Sequence, residues 1–320
     1  MEPKNTIQSP LATNVVLAAV QAGADPDGPL HRALSAHLAT VTMPADLDGI
    51  SSLVFTTVPV TVALPYGTEA HPITTASRMN EIVAAKTRGM ITNVFDDAAL
   101  KTAVMILSAA VVFDQPWRTV FQTVRNAKFN TLAGPVMCDM MFNDVDVQMI
   151  GFTYVNGDGK LYTVLEIPYV NDFAMRIVFQ NDPRDTDYSA PVIDEERWSQ
   201  ICKLPLTKAV RKATIGLPKW TCRHHLDLTE TLEAKFPGLF KSGELDAFFK
   251  NAVVSKAAQD AFIEVTEKGT RAAAFMYMEM TRSIPAPREM LVLDRPFAFA
   301  IKNDKGVVYF TGEVVNPLMM

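Results

Sequence analysis

Three cysteines in 320 residues, Cys138, Cys202 and Cys222, are too few, too widely spaced and odd in number for a disulfide framework or a zinc cluster, so they are read as reduced thiols. No apolar run approaches the roughly 18 residues that a membrane helix needs. The opening MEPKNTIQSP lacks the basic-then-apolar order of a signal peptide, and no N-x-S/T acceptor occurs. The expected compartment is therefore the cytoplasm, or the secretory route had a signal been removed. Neither sign of charge dominates: the net charge is -5, with 20% charged and 48% hydrophobic residues. That balance predicts a well-filled core and excludes a basic nucleic-acid surface.

Enzyme signatures are missing as well. There is no G-x-S-x-G elbow, H-E-x-x-H helix, G-x-G-x-x-G turn or P-loop. His224 and His225 stand together, but sequence neighbours point apart on a strand or a helix and do not chelate one metal. Lys160 and the Asp194-Glu195-Glu196 run read as solvated surface, and Gly157-Asp158-Gly159 as a turn between strands. The expectation is no enzyme activity, no metal and no cofactor.

Neither repeats nor low-complexity tracts divide the chain, and the Pro- and charge-rich stretch 181–198 reads as a surface crossing, so a single domain over 1–320 is expected. A first helix is predicted from Thr13 to Ala22, led in by Ser9-Pro10 and stopped by Gly23. A second helix covers LHRALSAHLA, and a third covers 75–88. The β-branched run from Ser51 to Leu64 predicts a strand, with Pro59 at an edge or bulge. TAVMILSAAVVF is apolar without alternation, as in a strand covered on both faces. Extended chain around 136–155 leads to a hairpin turn at Asn156-Gly157-Asp158-Gly159. LYTVLEIPYVNDFAMRIVFQ and FAFAIKNDKGVVYFTGEVV repeat the hairpin pattern. Hairpins with helices grouped early make an α+β domain.

The stretch from Glu264 to Ile301 is the most informative. Ala, Met and Glu between Thr270 and Met280 would suit a helix, but the period is two. Every second residue from Thr270 reads Thr, Ala, Ala, Met, Met, Met, whereas the alternate set carries Arg271, Phe275, Tyr277 and Glu279. An uncharged set against a charged one is the pattern of a strand with one buried face. Arg282-Ser283-Ile284-Pro285-Ala286-Pro287-Arg288 follows, held extended by two prolines, and reads as an exposed, cleavable loop. Arginine there suits the charged specificity pocket of trypsin-like proteases.

These residues resemble the serpin family. Glu267 to Ala274 is similar to the proximal hinge of a serpin reactive loop, and the terminal DRPFAFAIKNDKGVVYFTGEVVNP to the family's last hairpin. NTIQSPLATNVVLAAVQAGA resembles the N-x-x-x-S-P strand-to-helix element. Thr87 to Ile91, Phe113 to Trp117 and Leu165 to Tyr169 match further blocks, in family order along almost the whole chain.

The resemblance implies a serpin fold: a large mixed central sheet, two further sheets and a reduced set of helices. It implies a suicide inhibitor whose reactive loop, about 267–293, is cut near Arg282-Ser283 and inserts into that sheet. Glu267, Gly269, Thr270, Ala272, Ala273 and Ala274 are its hinge, with Thr270, Ala272 and Ala274 entering first and facing inward. Counting sixteen positions from Glu267 puts the bait residue at Ser283, whereas chemistry favours Arg282. Ser9, Gln259 and Trp117 map to the elements that control sheet opening. Gln259 stands where a histidine is usual, and Ala12 and Ala109 replace a serine and an asparagine.

Two helices usual in the family have no room, so the chain resembles a miniature serpin, similar to trimmed poxvirus serpins with a role in immune modulation, and no heparin-like cofactor is expected. The implied partner is a trypsin-like serine protease met by a monomer, with no nucleic acid or membrane. Arg271 in place of an acidic residue and the bulk of Phe275 leave open a non-inhibitory serpin acting as a binding or decoy protein, and a cysteine-protease target is the cross-class alternative. Asp is absent from Phe275 to Leu293, which disfavours a caspase.

Overall fold

A computed structural model describes the chain except for residues 1–3, 45–46, 48, 157–159, 181, 183, 205–209, 271–288 and 320. The helices are α1 (Pro10–Gly23), α2 (Pro29–Leu38), α3 (Ala76–Lys86), α4 (Asp97–Leu100), α5 (Glu195–Lys203) and α6 (Thr229–Lys235). Strands β1 (Thr6–Gln8), β2 (Ile50–Thr56), β3 (Glu69–Pro72), β4 (Met105–Val112) and β5 (Gln115–Pro116) come early. They are followed by β6 (Thr123–Thr131), β7 (Gly134–Asn156), β8 (Lys160–Pro168), β9 (Phe173–Gln180), β10 (Val210–Pro218) and β11 (Trp220–Asp227). The last five are β12 (Val254–Thr266), β13 (Gly269–Thr270), β14 (Glu289–Val292), β15 (Phe297–Asn303) and β16 (Val308–Val314). This is the expected α+β composition.

The chain forms two compact units, one from Met1–Ile7, Phe113–Arg223 and Ile263–Met320, the other from Gln8–Val112 and His224–Phe262. In the first, a ladder runs β16-β15-β9-β8-β7-β10-β14, with β6 also on β7. The two further sheets expected from the family are continuous here, because β7 is 23 residues long. Its Met140–Gln148 segment pairs with β10, and pairing with β8 takes over from Gln148 to Asn156. Asn171 and Asp172 turn the β8–β9 hairpin with positive φ of 63° and 61°, a conformation these side chains tolerate.

The second unit carries the mixed sheet: β2 lies parallel to β3 and antiparallel to β4, and β4 is parallel to β12. Every residue of β4 is buried, as its unbroken apolar text requires. The third helix buries Ala76, Met79 and Val83 against Leu53, Phe55, Ile106 and Ala110 of this sheet. Helix α1 begins where Ser9 Oγ accepts from the Ala12 amide at 3.1 Å, with Pro10 in its first turn. At its other end Gly23 is obligatory, because an added Cβ would lie 2.1 Å from the Phe248 ring.

One predicted element is shorter than expected. The β-branched run 51–64 is strand only to Thr56. Thr56 stands opposite Met105, the first residue of β4, so beyond it no neighbouring strand is left to pair with. β-propensity without a partner does not make a ladder.

Candidate functional site

Backbone and side-chain anchors hold the stretch 266–270. The Trp117 indole N–H donates to the Thr266 carbonyl at 2.9 Å, and the Trp117 amide to that of Lys268 at 3.0 Å. The Phe121 amide donates to the Glu267 carbonyl at 2.9 Å. Glu267 pairs with Lys219 at 3.1 Å, both side chains about one third exposed. A bond from its own backbone N–H, then Lys219, keeps the Glu267 carboxyl below its ordinary value.

Gly269 and Thr270 then form β13, antiparallel to β12 on one side and to β5 on the other. Gly269 has φ +151°, and a Cβ there would stand 2.4 Å from the Gln115 carbonyl oxygen, so only glycine lets the chain enter. Thr270 is wholly buried, its hydroxyl 2.6 Å from that of Tyr169. The Tyr169 ring stacks on Trp117 with centroids 4.1 Å apart and planes 10° from parallel. Burial pushes the Tyr169 phenol well above its usual range, so it stays a neutral hydrogen-bonding group.

In the other unit, Gln259 of β12 ties the strand to the start of α1. Its Oε1 accepts from the Ser9 amide at 2.6 Å, and its Nε2 donates to the Ser9 carbonyl at 2.8 Å and to Thr13 Oγ1 at 3.0 Å. Both Gln259 and Ser9 are buried. Gln259 also stands opposite Ala109 of β4, with no strand between.

Of the residues singled out in sequence, Glu267, Gly269, Thr270 and Trp117 converge on one seat, and Ser9 and Gln259 on one latch. Ala272, Ala273, Ala274, Arg282 and Ser283, with Arg271 and Phe275, lie outside the described residues. Sequence reasoning missed the parts played by Tyr169, Lys219 and Thr13. Tyr169 and Thr13 lay inside quoted blocks, whereas nothing marked Lys219. The three cysteines are free and buried, and burial raises their thiols to about 11, 12 and 11 for Cys138, Cys202 and Cys222. Among the described residues no helix is long and apolar enough to cross a membrane, and no cluster of three or more His, Cys, Asp or Glu could hold a metal.

Comparison with known proteins matches residues 68–317 to the family model "Serpin (serine protease inhibitor)". Bovine (Bos taurus) plasminogen activator inhibitor 1 is 27% identical over 256 residues, 75% of this chain and 61% of that protein. Rat (Rattus norvegicus) glia-derived nexin is 29% identical over 258 residues, 77% of this chain and 64% of that protein. The chain thus spans about three fifths of the length of these curated relatives. In fold it is similar to Serpin48 of the insect Tenebrio molitor, with TM-score 0.77 and 21% identity over 98% of this chain and 92% of that one. Native protease nexin-1, solved with heparin, gives 0.78 at the same identity and coverages.

Proposed function

Because this chain belongs to the serpin family, we propose that it inhibits a trypsin-like serine protease as a suicide substrate, the whole chain acting as one functional monomer. The protease attacks the carbonyl of Arg282, the loop is cut before Ser283, and the freed segment enters the mixed sheet behind Thr270 with the acyl-enzyme attached. The observation that carries this reading is β13: the hinge has already taken strand form between β12 and β5, while further along β12 pairs directly with β4.

Inserting about a dozen residues, each gaining roughly 0.5–1.5 kcal/mol in net hydrogen bonding, releases on the order of 10 kcal/mol. That rivals a whole domain's stability of about 5–15 kcal/mol. The uncut fold is then held by a barrier, to which the Gln259 bonds to Ser9 and Thr13 contribute. Distorting the captured protease's oxyanion hole slows deacylation, since one lost donor there costs about 2.7–4 kcal/mol.

Incubation with trypsin tests the reading. The expected product is a covalent species that survives SDS and runs near the summed masses; cleaved chain alone, with no such band, refutes it. The Gln259 latch also supports a second reading, a non-inhibitory serpin whose sheet stays shut. Its signature is cleavage at the loop with no large rise in melting temperature.

A further inference from the structure

Two consecutive residues of β12, Gln259 and Asp260, are buried, and successive side chains of a strand point to opposite faces of the sheet. Gln259 is tied to Ser9 and Thr13 at the start of α1. On the other face the Asp260 carboxylate accepts from His225 Nδ1 of β11, at 3.1 Å to one oxygen and 3.2 Å to the other. Among the described residues His225 is the only hydrogen-bond or ion partner of that carboxylate. The Asp260 side chain is 3% exposed and the imidazole 44%, so a buried acid stands beside a base that water reaches.

The contact is built into the ladder. Just past the end of β11, the Leu228 amide donates to the Ala257 carbonyl at 2.9 Å. Three residues on from His225 thus meets three residues back from Asp260, so β11 runs antiparallel to β12 and His225 directly opposes Asp260. Side chains opposed in this way have Cβ atoms about 4.5–5.5 Å apart, close enough to bond without distorting either strand.

The other charges on this face are engaged or stand two or more residues away along their strands. Asp227 accepts from the Thr229 amide at 2.9 Å and lies 3.8 Å from Lys256 of β12. Arg223 and Glu264 belong to the same alternation, two residues back from His225 and four on from Asp260. β4 offers Ser108, Ala110 and Val112, none of which titrates. Helix α3, packed with Ala110, pairs Arg78 with Glu81 and Lys86 with Glu69, and Asp97 of α4 accepts from the Ala76 amide.

We propose that His225 and Asp260 are a pH-sensitive clasp on β12. The carboxylate fixes the imidazole as the Nδ1–H tautomer, since the alternative sets lone pairs against each other. Imidazole is the side chain whose charge ordinarily changes between about pH 5 and 8. With one proton the ring gives β12 a hydrogen bond. With a second, on Nε2, the ring is a cation and the bond becomes an ion pair with a carboxylate that water does not reach. The added hold is present in mild acid and lost toward alkaline pH. The Gln259 amide on the opposite face does not titrate, so β12 carries one constant tie and one adjustable one. The clasp does not depend on protease inhibition.

The test compares the melting temperature of the full chain with that of His225→Asn, an uncharged donor of similar reach, from about pH 5.5 to 8.5. The wild type should lead most at the acid end, and its lead should shrink by about 2 °C or more at the alkaline end. His31, His37, His71 and His224 are common to both proteins and cancel. In an Asp260→Asn background the same exchange at His225 should leave no such slope. Nitrogen NMR of the labelled wild type at alkaline pH should place the His225 proton on Nδ1. A lead that stays constant with pH overturns the clasp as a switch. A slope that survives Asp260→Asn assigns it to another acid, such as Asp227, and overturns it as well. A neutral His225 protonated on Nε2 overturns the contact itself, even where neither variant folds.

Discussion

The hydroxyls of Tyr169 and Thr270 lie 2.6 Å apart in a fully buried contact between residues 101 positions apart in the chain. Each is the other's hydrogen-bond partner. Thr270→Val strands the Tyr169 hydroxyl and Tyr169→Phe strands that of Thr270, so each single change should cost about 1–3 kcal/mol. The double variant, with both hydroxyls gone, should cost less than the sum of the two. Urea denaturation of the four proteins checks this, and strict additivity would show that the bond is not energetically real.

Gln259 makes three hydrogen bonds from a buried position, two of them to the backbone of one residue. Gln259→Leu keeps the bulk but leaves the Ser9 amide and carbonyl without that partner, and is expected to destabilise the intact protein by about 2 kcal/mol or more. The same change should speed loop insertion after nicking, since the latch between β12 and α1 is gone. Thermal melts and stopped-flow tryptophan fluorescence measure the two effects; an unchanged insertion rate would remove Gln259 from the control of opening.

The Glu267–Lys219 pair gives a pH dependence. The Glu267 carboxyl is held below its ordinary value of 4.5, so its contribution is present above that value and is lost as pH falls through the lowered folded value. Both side chains are about one third exposed, which screens the pair and limits it to about 1 kcal/mol or less. Glu267→Gln should lose this increment at neutral pH, and its stability should fall less steeply on acidification. Glu267→Lys, which sets two cations together, should be the worse variant. Melting temperatures across the acid range decide both.

Thiol chemistry offers a check on packing. With Cys138, Cys202 and Cys222 buried and raised to about 11, 12 and 11, the folded protein should release almost no thiol to a disulfide reagent near neutral pH. In denaturant all three should react. Rapid reaction of any one in the folded state would place that cysteine at the surface.

Local patterns were legible without a structure wherever one short window carries the cause. Ser9-Pro10 and Gly23 bound α1 because a cap and a stop act on neighbouring backbone. The apolar run Met105–Val112 is fully buried because nothing in it can face water. The hairpin at Asn171-Asp172 follows from residues that accept positive φ. The strand predicted to Leu64 ended at Thr56 because pairing, which no window contains, ran out.

By itself, then, the sequence determined the first three helices, the buried run of β4, the α+β class, the serpin resemblance and the alternation of charged and uncharged residues after Thr270. The tertiary structure alone decided which distant groups meet: Gln259 with Ser9, 250 residues apart, Trp117 with Thr266, 149 apart, and Tyr169 with Thr270, 101 apart. The reason is physical. Propensity and periodicity are properties of consecutive residues, whereas a buried hydrogen bond or a ladder register exists only once separate strands have been brought side by side and water has been excluded from between them.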